Sequence, residues 1–370
     1  MINWNEIRSY FPVTKTFVYL NPAGGSPMPI QAVNEGKRFY DEMLIGGDSY
    51  WDEWLERMEQ TRIKLADLIN AEPVEVAFAQ NTSHAMSIVA SMLKNEGEVI
   101  TMYDEFPSST YPWLQNGVKL HFLNPVNGIY NLEDIERSIN PHTRILVTSY
   151  VQYNTGFRQD LEALGILCKK KNLIFVINAT QGMGSMPIDV RKFQADFLVF
   201  TGLKWTFAGY GVGGVYVNKK WFDKLNYPAA GWRSAKNPEL MNNQVLDLKK
   251  NASEIELGCM NFPNIFALGG GLDLLKSLGQ NAVFERIMEL NNYIEKRFDE
   301  EKIPIASLRD KKYRSGITIV KADNAKEIVT KLYQKKIFVS ARGEGIRVSV
   351  HIFNNFEDID KLITELKPLI

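Results

Sequence analysis

The sequence predicts an α/β fold: a large domain on a mainly parallel central sheet, followed by a smaller α+β C-terminal domain. Three observations carry that reading. Short apolar runs recur through the first two thirds of the chain, most of them about 20–25 residues apart, enough for a crossover helix. Several runs are apolar throughout rather than alternating, as strands covered on both faces are. From about Asn264 the texture changes to long helical stretches with a few short strands.

The strands of the large sheet are expected at residues 76–79, 99–102, 120–123, 145–148, 173–177, 197–200 and 212–217. Leu161, Leu164, Leu167 and Cys168 stand at helical spacing between two of these runs, which makes Cys168 a core residue. Met86, Val89 and Leu93 mark a second such helix. Beyond Asn264 one long helical stretch is expected through Leu272, Leu275, Phe284, Ile287, Leu290 and Ile294. Strands near residues 316–320 and 346–350 come next, with a closing helix from Glu357. The first 25 residues hold no complete unit and are expected to pack against this second domain. The expected division is therefore 26–262 for the large domain and 1–25 with 263–370 for the small one.

Composition narrows the function. The 370 residues carry 43 Lys+Arg against 43 Asp+Glu, a formal net charge of zero, which argues against coating nucleic acid or an anionic membrane. The lysine clusters at 169–171, 249–250 and 335–336 are scattered among acids and read as solvated helix ends. The 20 Phe, 15 Tyr and 7 Trp exclude a disordered chain. Glu6 and Arg8 put charges where a signal peptide needs an apolar run. No stretch approaches the ~18 apolar residues of a spanning helix. Two cysteines, Cys168 and Cys259, cannot build a disulfide framework. A cytoplasmic, soluble protein is expected.

In open α/β sheets ligands bind beyond the carboxyl ends of the strands. Asn81-Thr82-Ser83-His84 lies just past the first run, and Asp104-Glu105-Phe106-Pro107-Ser108-Ser109 past the second. Asn178-Ala179-Thr180-Gln181 lies past the fifth, and Thr201-Gly202-Leu203-Lys204-Trp205 past the sixth. Thr82 or Ser83 can cap the helix behind it and leave amides aimed at an anion, and capping alone also explains them. Lys204 lies between Leu203 and Trp205 at the mouth of a buried sheet. Desolvation there lowers an amine's pKa and frees it as a nucleophile. A lysine can equally snorkel to solvent from such a place, and position alone leaves both readings open.

Taken in order, these segments resemble the class V aminotransferases and their cysteine desulfurase-like relatives. The resemblance runs through Asn21-Pro22-Ala23-Gly24-Gly25, Asn81-Thr82-Ser83, Asp104-Glu105-Phe106-Pro107-Ser108, Thr155-Gly156, Ala179-Thr180-Gln181, residues 201–205, Arg347-Val348-Ser349 and residues 354–360. It covers nearly the whole chain. It implies a pyridoxal-phosphate enzyme of the aspartate aminotransferase fold type, with Lys204 as Schiff-base lysine and proton shuttle. It further implies that Thr82, Ser83 and Thr201 hold the cofactor phosphate, Phe106 stacks on the ring and Gln181 meets the phenolic oxygen. Arg347 would grip the substrate carboxylate bidentately, with Arg342 assisting and Gly24 lining the substrate side. A homodimer is implied, with Gly231-Trp232-Arg233 and the Gly258-Cys259 turn reaching the neighbour's site.

The departures are as informative. Asn178 stands where the family pattern has an aspartate that keeps the ring nitrogen protonated, so slower carbanion chemistry is expected. Leu203 replaces a common histidine, and Phe106 stands where many desulfurases have another. Cys259-Met260 replaces a Thr-Pro pair whose threonine contacts the neighbouring subunit's phosphate, which places Cys259 either at that edge of the cofactor site or in the core as a small residue. Desulfurases carry a persulfide-forming cysteine on a mobile loop, whereas Ser340-Ala341-Arg342-Gly343-Glu344-Gly345-Ile346 has none and joins two strands tightly.

Two motifs mislead. Gly209-Tyr210-Gly211-Val212-Gly213-Gly214 spells a dinucleotide fingerprint but precedes a strand rather than opening a helix. Thr201-Gly202-Leu203-Lys204 has acyl-enzyme spacing without the companion motifs. His84, His121, His142 and His351 are dispersed and indicate no metal site. The function expected is that of an enzyme acting on an amino-acid substrate, most simply an aminotransferase, or a lyase of the selenocysteine/cysteine lyase type. The alternative is a fold of this type with attenuated or no catalysis, serving as a binding or regulatory module.

Overall fold

A computed structural model describes residues 2–224 and 227–370, so Met1 lies outside it. A two-residue strand β1 (Val18–Tyr19) precedes the large sheet, formed by β2 (Val76–Ala79), β3 (Glu98–Met102), β4 (Leu120–Leu123), β5 (Thr143–Ser149), β6 (Ile174–Asn178), β7 (Phe197–Thr201) and β8 (Gly213–Val217). The C-terminal region adds β9 (Ile317–Lys321), β10 (Ile337–Phe338), β11 (Ser340–Arg342) and β12 (Gly345–Ser349).

The large sheet runs β2-β8-β7-β6-β5-β3-β4. Every pairing within it is parallel except those of β8, which runs antiparallel to both neighbours. The continuous apolar runs have their expected cause: β2, β6, β7 and β8 are buried at every position. One core cluster packs on one face of the sheet through Phe78, Ile100, Leu146, Phe175, Leu198 and Phe200, and a second on the other through Val99, Val147, Val176 and Val199. The alternation places successive residues of one strand in different clusters.

The structure corrects three expectations. The long C-terminal helix is two, Phe262–Leu278 and Gln280–Glu300, broken at Gly279, whose φ of +80° few side chains tolerate. Residues 340–342 are not part of a loop but the strand β11, which pairs with β12 around the Gly343-Glu344 turn. The helix Thr82–Leu93 is capped by Asn81, whose side chain accepts from the His84 amide at 3.0 Å, rather than by Thr82 or Ser83.

The chain's start returns to its end. β1 pairs in parallel with β10, and Ser349 bonds the Leu20 carbonyl through its amide at 2.9 Å. This brings residues 20–24 against β12 and over the C-terminal edge of the large sheet. No helix among the described residues is long and apolar enough to cross a membrane.

One buried ion pair holds the start of β2. Arg62 donates to both carboxylate oxygens of Glu256, at 2.6 and 2.9 Å, and Glu256 also accepts the Phe78 amide at 2.8 Å. Both side chains are almost fully buried, so removing Glu256 leaves the Arg62 guanidinium with Glu59 as its one remaining carboxylate and the Phe78 amide without that acceptor. Glu256→Ala is expected to lower stability by about 3–5 kcal/mol, read as a reduced denaturation midpoint; an unchanged midpoint would show that the pair is dispensable.

Candidate active site

Six strands of the large sheet end on one edge, and the chain just beyond them surrounds a cavity of about 270 Å³. Asn178 closes β6, Thr201 closes β7 and Ser149 closes β5. Lys204 lies three residues past the end of β7, and the helix opening at Thr82 comes directly after β2. Ten of the predicted site residues line this one cavity: Gly24, Thr82, Ser83, Phe106, Asn178, Gln181, Thr201, Lys204, Arg342 and Arg347. Cys259 does not; it is exposed and lies outside the wall, which also removes the reading of it as a buried core residue.

Among the described residues in the wall none is acidic, yet three are cationic. Lys204 has no carboxylate partner among the described residues, and its amine is pushed down to about 7, first by burial, then by the charges of Arg347 and Arg342. Its Nζ stands 5.9 Å from the centre of the Phe106 ring. Arg347, on β12, is 2% exposed. Nη1 donates to the Tyr153 carbonyl at 3.1 Å, and Nη2 reaches Asn21 Oδ1 only at 3.5 Å. Nε is buried without a partner. Nε and Nη2 form one edge of the guanidinium fork, so the edge suited to a carboxylate is the poorly used one. Burial lowers the Arg347 pKa to about 10, with help from Arg342. Arg342 sits exposed at the rim, its guanidinium on the Ala341 carbonyl at 2.7 Å.

The opposite end is built for an anion without a full cation. Asn81 serves the His84 amide, and the Ala85 amide bonds the Asn81 carbonyl, which leaves Thr82 and Ser83 as amides with no intrahelical partner. The Thr82 hydroxyl bonds that of Thr180, and the buried Thr201 hydroxyl has no partner. Gln181 accepts from the Trp205 indole at 2.8 Å and donates to the Ala23 carbonyl at 3.0 Å, so one amide hydrogen remains for a ligand. The orphaned hydroxyl, the free helix amides and a buried guanidinium without an anion fit a phosphate-bearing aldehyde cofactor and a carboxylate substrate.

Two features escaped the sequence reading. The loop after β5, residues 150–156, brings Val151 and Tyr153 to the wall, and Tyr153 meets the Phe106 ring edge-on at 5.1 Å. The signal that could have found them is the one used for the other strands: ligand contacts lie just beyond each carboxyl end. The second is His351, fully buried. Its Nδ1 accepts from the Ile352 amide at 2.8 Å, so Nε2–H donates to the Trp205 carbonyl at 3.1 Å and anchors the residue beside Lys204. Burial drives its pKa down to about 3, so it stays neutral. No periodicity or spacing marks such a contact.

Gly343 seats the β11–β12 turn on this loop. Its φ is +57°, and a Cβ there would lie 2.2 Å from the Asn154 carbonyl oxygen.

Residues 18–362 match the family profile described as Aminotransferase class-V. A probable cysteine desulfurase of Pyrococcus abyssi is 26% identical over 99% of this chain and 97% of its own length. An uncharacterized aminotransferase of Bacillus subtilis, YcbU, is 25% identical over 98% and 96%. Among solved structures, an apo cysteine desulfurase from Thermococcus onnurineus NA1 superposes with a TM-score of 0.89 at 23% identity, covering 100% of this chain and 98% of that one. The cystine C-S lyase C-DES, bound to its product cysteine persulfide, gives 0.87 at 20% identity, covering 96% and 99%.

A lysine with a pKa near 7 is protonated below that pH and nucleophilic above it. Competitive acetylation of the cofactor-free protein is expected to give Lys204 a reactivity midpoint near pH 7. Arg347→Leu, which removes a neighbouring positive charge, is expected to raise that midpoint. Titration of Lys204 with the surface lysines would contradict the site's electrostatics.

Proposed function

The chain belongs to the class-V aminotransferase family, and from that premise we propose that it acts on an amino acid through Lys204, most simply as an aminotransferase. It is a pyridoxal-phosphate-dependent enzyme of the transferase or lyase type. A lyase reaction of the selenocysteine/cysteine lyase type is the neighbouring chemistry. The observation that carries the assignment is Lys204: an amine held near neutrality, between an anion-binding helix start and a buried, anion-free guanidinium.

Thr82, Ser83 and Thr201 would hold the cofactor phosphate, Phe106 would cover the ring, and the spare Gln181 amide hydrogen would meet the phenolic oxygen. When bound, the cofactor supplies a ring that withdraws electrons from the substrate's α-carbon. The protein's part is then positional and acid–base. Arg347 binds the α-carboxylate on its Nε/Nη2 edge, Gly24 leaves room beside it, and Arg342 adds charge at the rim. Lys204, whose charged form is disfavoured by burial and by the two arginines, takes the α-proton and returns it.

The cysteines favour chemistry without a protein persulfide. Cys168 lies in the core and Cys259 outside the cavity, and the tight Gly343-Glu344 turn carries none. We further infer a cytoplasmic homodimer, divided as 26–262 and 1–25 with 263–370, in which the exposed Cys259 and the loop at Gly231-Trp232-Arg233 face a neighbour's site.

Single-turnover assays of the loaded protein on a panel of α-amino acids test the reading. Transamination releases the 2-oxo acid without ammonium, whereas elimination from a β-substituted amino acid releases both. Arg347→Leu is expected to lower kcat/KM by about 10- to 100-fold, mostly through KM, as loss of a charge-assisted bond requires. Turnover unaltered in Lys204→Ala would refute the assignment.

A further inference from the structure

We propose that Arg342 makes the site selective for α-amino acids whose side chain ends in a carboxylate. Arg347 takes the α-carboxylate, and Arg342 takes the second one. This selectivity rests on the function proposed above and names the class of substrate for it.

Strand register puts the two guanidinium groups on one face of the β11–β12 hairpin. Ser340 lies opposite Arg347, and Arg342 lies opposite Gly345. Side chains two apart on a strand share a face, so Arg342 is on the face of Ser340 and therefore of Arg347. The two arginines are diagonal neighbours, with Cα atoms about 7–8 Å apart and long side chains within reach of each other. Asn21 marks where that face looks. Its Oδ1 accepts the Ser340 hydroxyl at 3.1 Å and is approached by Arg347 Nη2 at 3.5 Å. Both arginines accordingly line the cavity.

The backbone around Arg342 is fixed, but its side chain is uncommitted. Gly343, the next residue, sits so close to the loop after β5 that a Cβ would lie 2.2 Å from the Asn154 carbonyl oxygen. The Tyr153 carbonyl of the same loop accepts Arg347 Nη1 at 3.1 Å. The guanidinium of Arg342 has one hydrogen bond among the described residues, to the carbonyl of its own neighbour Ala341. Asp323, Glu327 and Glu344 border a groove outside the cavity together with Arg342, yet among the described residues none forms an ion pair with it.

Charge then decides what the cavity accepts. With an α-carboxylate on the Nε/Nη2 edge of Arg347, Arg342 still lacks an anion, and no acid among the described residues lines the wall. The residues suited to the cofactor phosphate, Thr82, Ser83 and Thr201, stand at the opposite end. A neutral side chain leaves Arg342 unanswered, whereas a carboxylate one side chain away from the first meets it with a charge-assisted bond. Because Arg342 is exposed, water screens this bond, and it is weaker than the buried one at Arg347. Its effect is to discriminate between substrates rather than to hold them.

The experiment compares each acid with the amide of the same shape. Protein loaded with pyridoxal phosphate is titrated with aspartate, asparagine, glutamate, glutamine and O-phosphoserine, and binding is read from the absorbance of the bound cofactor. In the wild type at least one dicarboxylic acid is expected to bind about 10-fold more tightly than its amide. Arg342→Gln is expected to abolish that ratio, and Arg342→Lys, which keeps the charge, to retain most of it. Arg342→Ala gives the same reading should Arg342→Gln fail to fold. Equal binding of acid and amide in the wild type overturns the selectivity, as does a ratio that the neutral variants leave intact. Tighter binding of O-phosphoserine than of either acid assigns Arg342 to phosphate and overturns the carboxylate. A protein that takes no pyridoxal phosphate, or takes it and responds to none of the five compounds, overturns the function proposed above and this selectivity with it.

Discussion

Like charges gathered at one cavity, two of them buried, are the constraint on which the rest of the site depends. Lys204, Arg342 and Arg347 converge on one cavity whose wall, among the described residues, contains no acid. The Lys204 ammonium is disfavoured by burial and by both arginines, and the Arg347 guanidinium by burial and by Arg342. The lysine yields because an amine can lose its proton, whereas a guanidinium stays charged. The result is an amine that loses its proton near pH 7 beside a permanent cation. An anionic ligand relieves the repulsion, so the same arrangement that activates Lys204 selects a carboxylate.

The fold keeps that arrangement in place from several directions. β7 delivers Thr201 and Lys204, β12 delivers Arg347, and residues 20–24 lie between them because β1 is paired with β10. His351 joins the two parts by gripping the Trp205 carbonyl, and Trp205 in turn holds Gln181. The contacts between the sheet's edge and the C-terminal region are thus made by residues adjacent to the functional ones. A change in how these parts meet would move Lys204 and Arg347 relative to each other.

Much of this was legible in the chain because each signal was local. Uniform apolar runs mark strands buried on both faces, and the rule that ligands sit beyond the strands' ends singled out Asn178, Thr201 and Lys204. Family resemblance added the arginines. The illegible part depends on distant contact or on lengths too short for periodicity. β1, β10 and β11 have two or three residues each, and no pattern shows in so few. The helical stripe runs on past Gly279, so one stretch read as continuous conceals a break. Glu105 stands within a motif of the family pattern, but only tertiary structure shows it turned inward onto Ser149 and Gln152. Tyr153 escaped because the family motif past β5, Thr155-Gly156, begins two residues beyond it, and no pattern marks the residues before.

The central claim is that Lys204 is the residue that takes the cofactor. Purified protein is mixed with pyridoxal phosphate, its visible absorbance recorded, the sample reduced with borohydride, and the peptides weighed. The account predicts a visible band that reduction removes, and one pyridoxyl adduct, on the peptide that contains Lys204. An adduct spread over surface lysines, or no band at all, would contradict it.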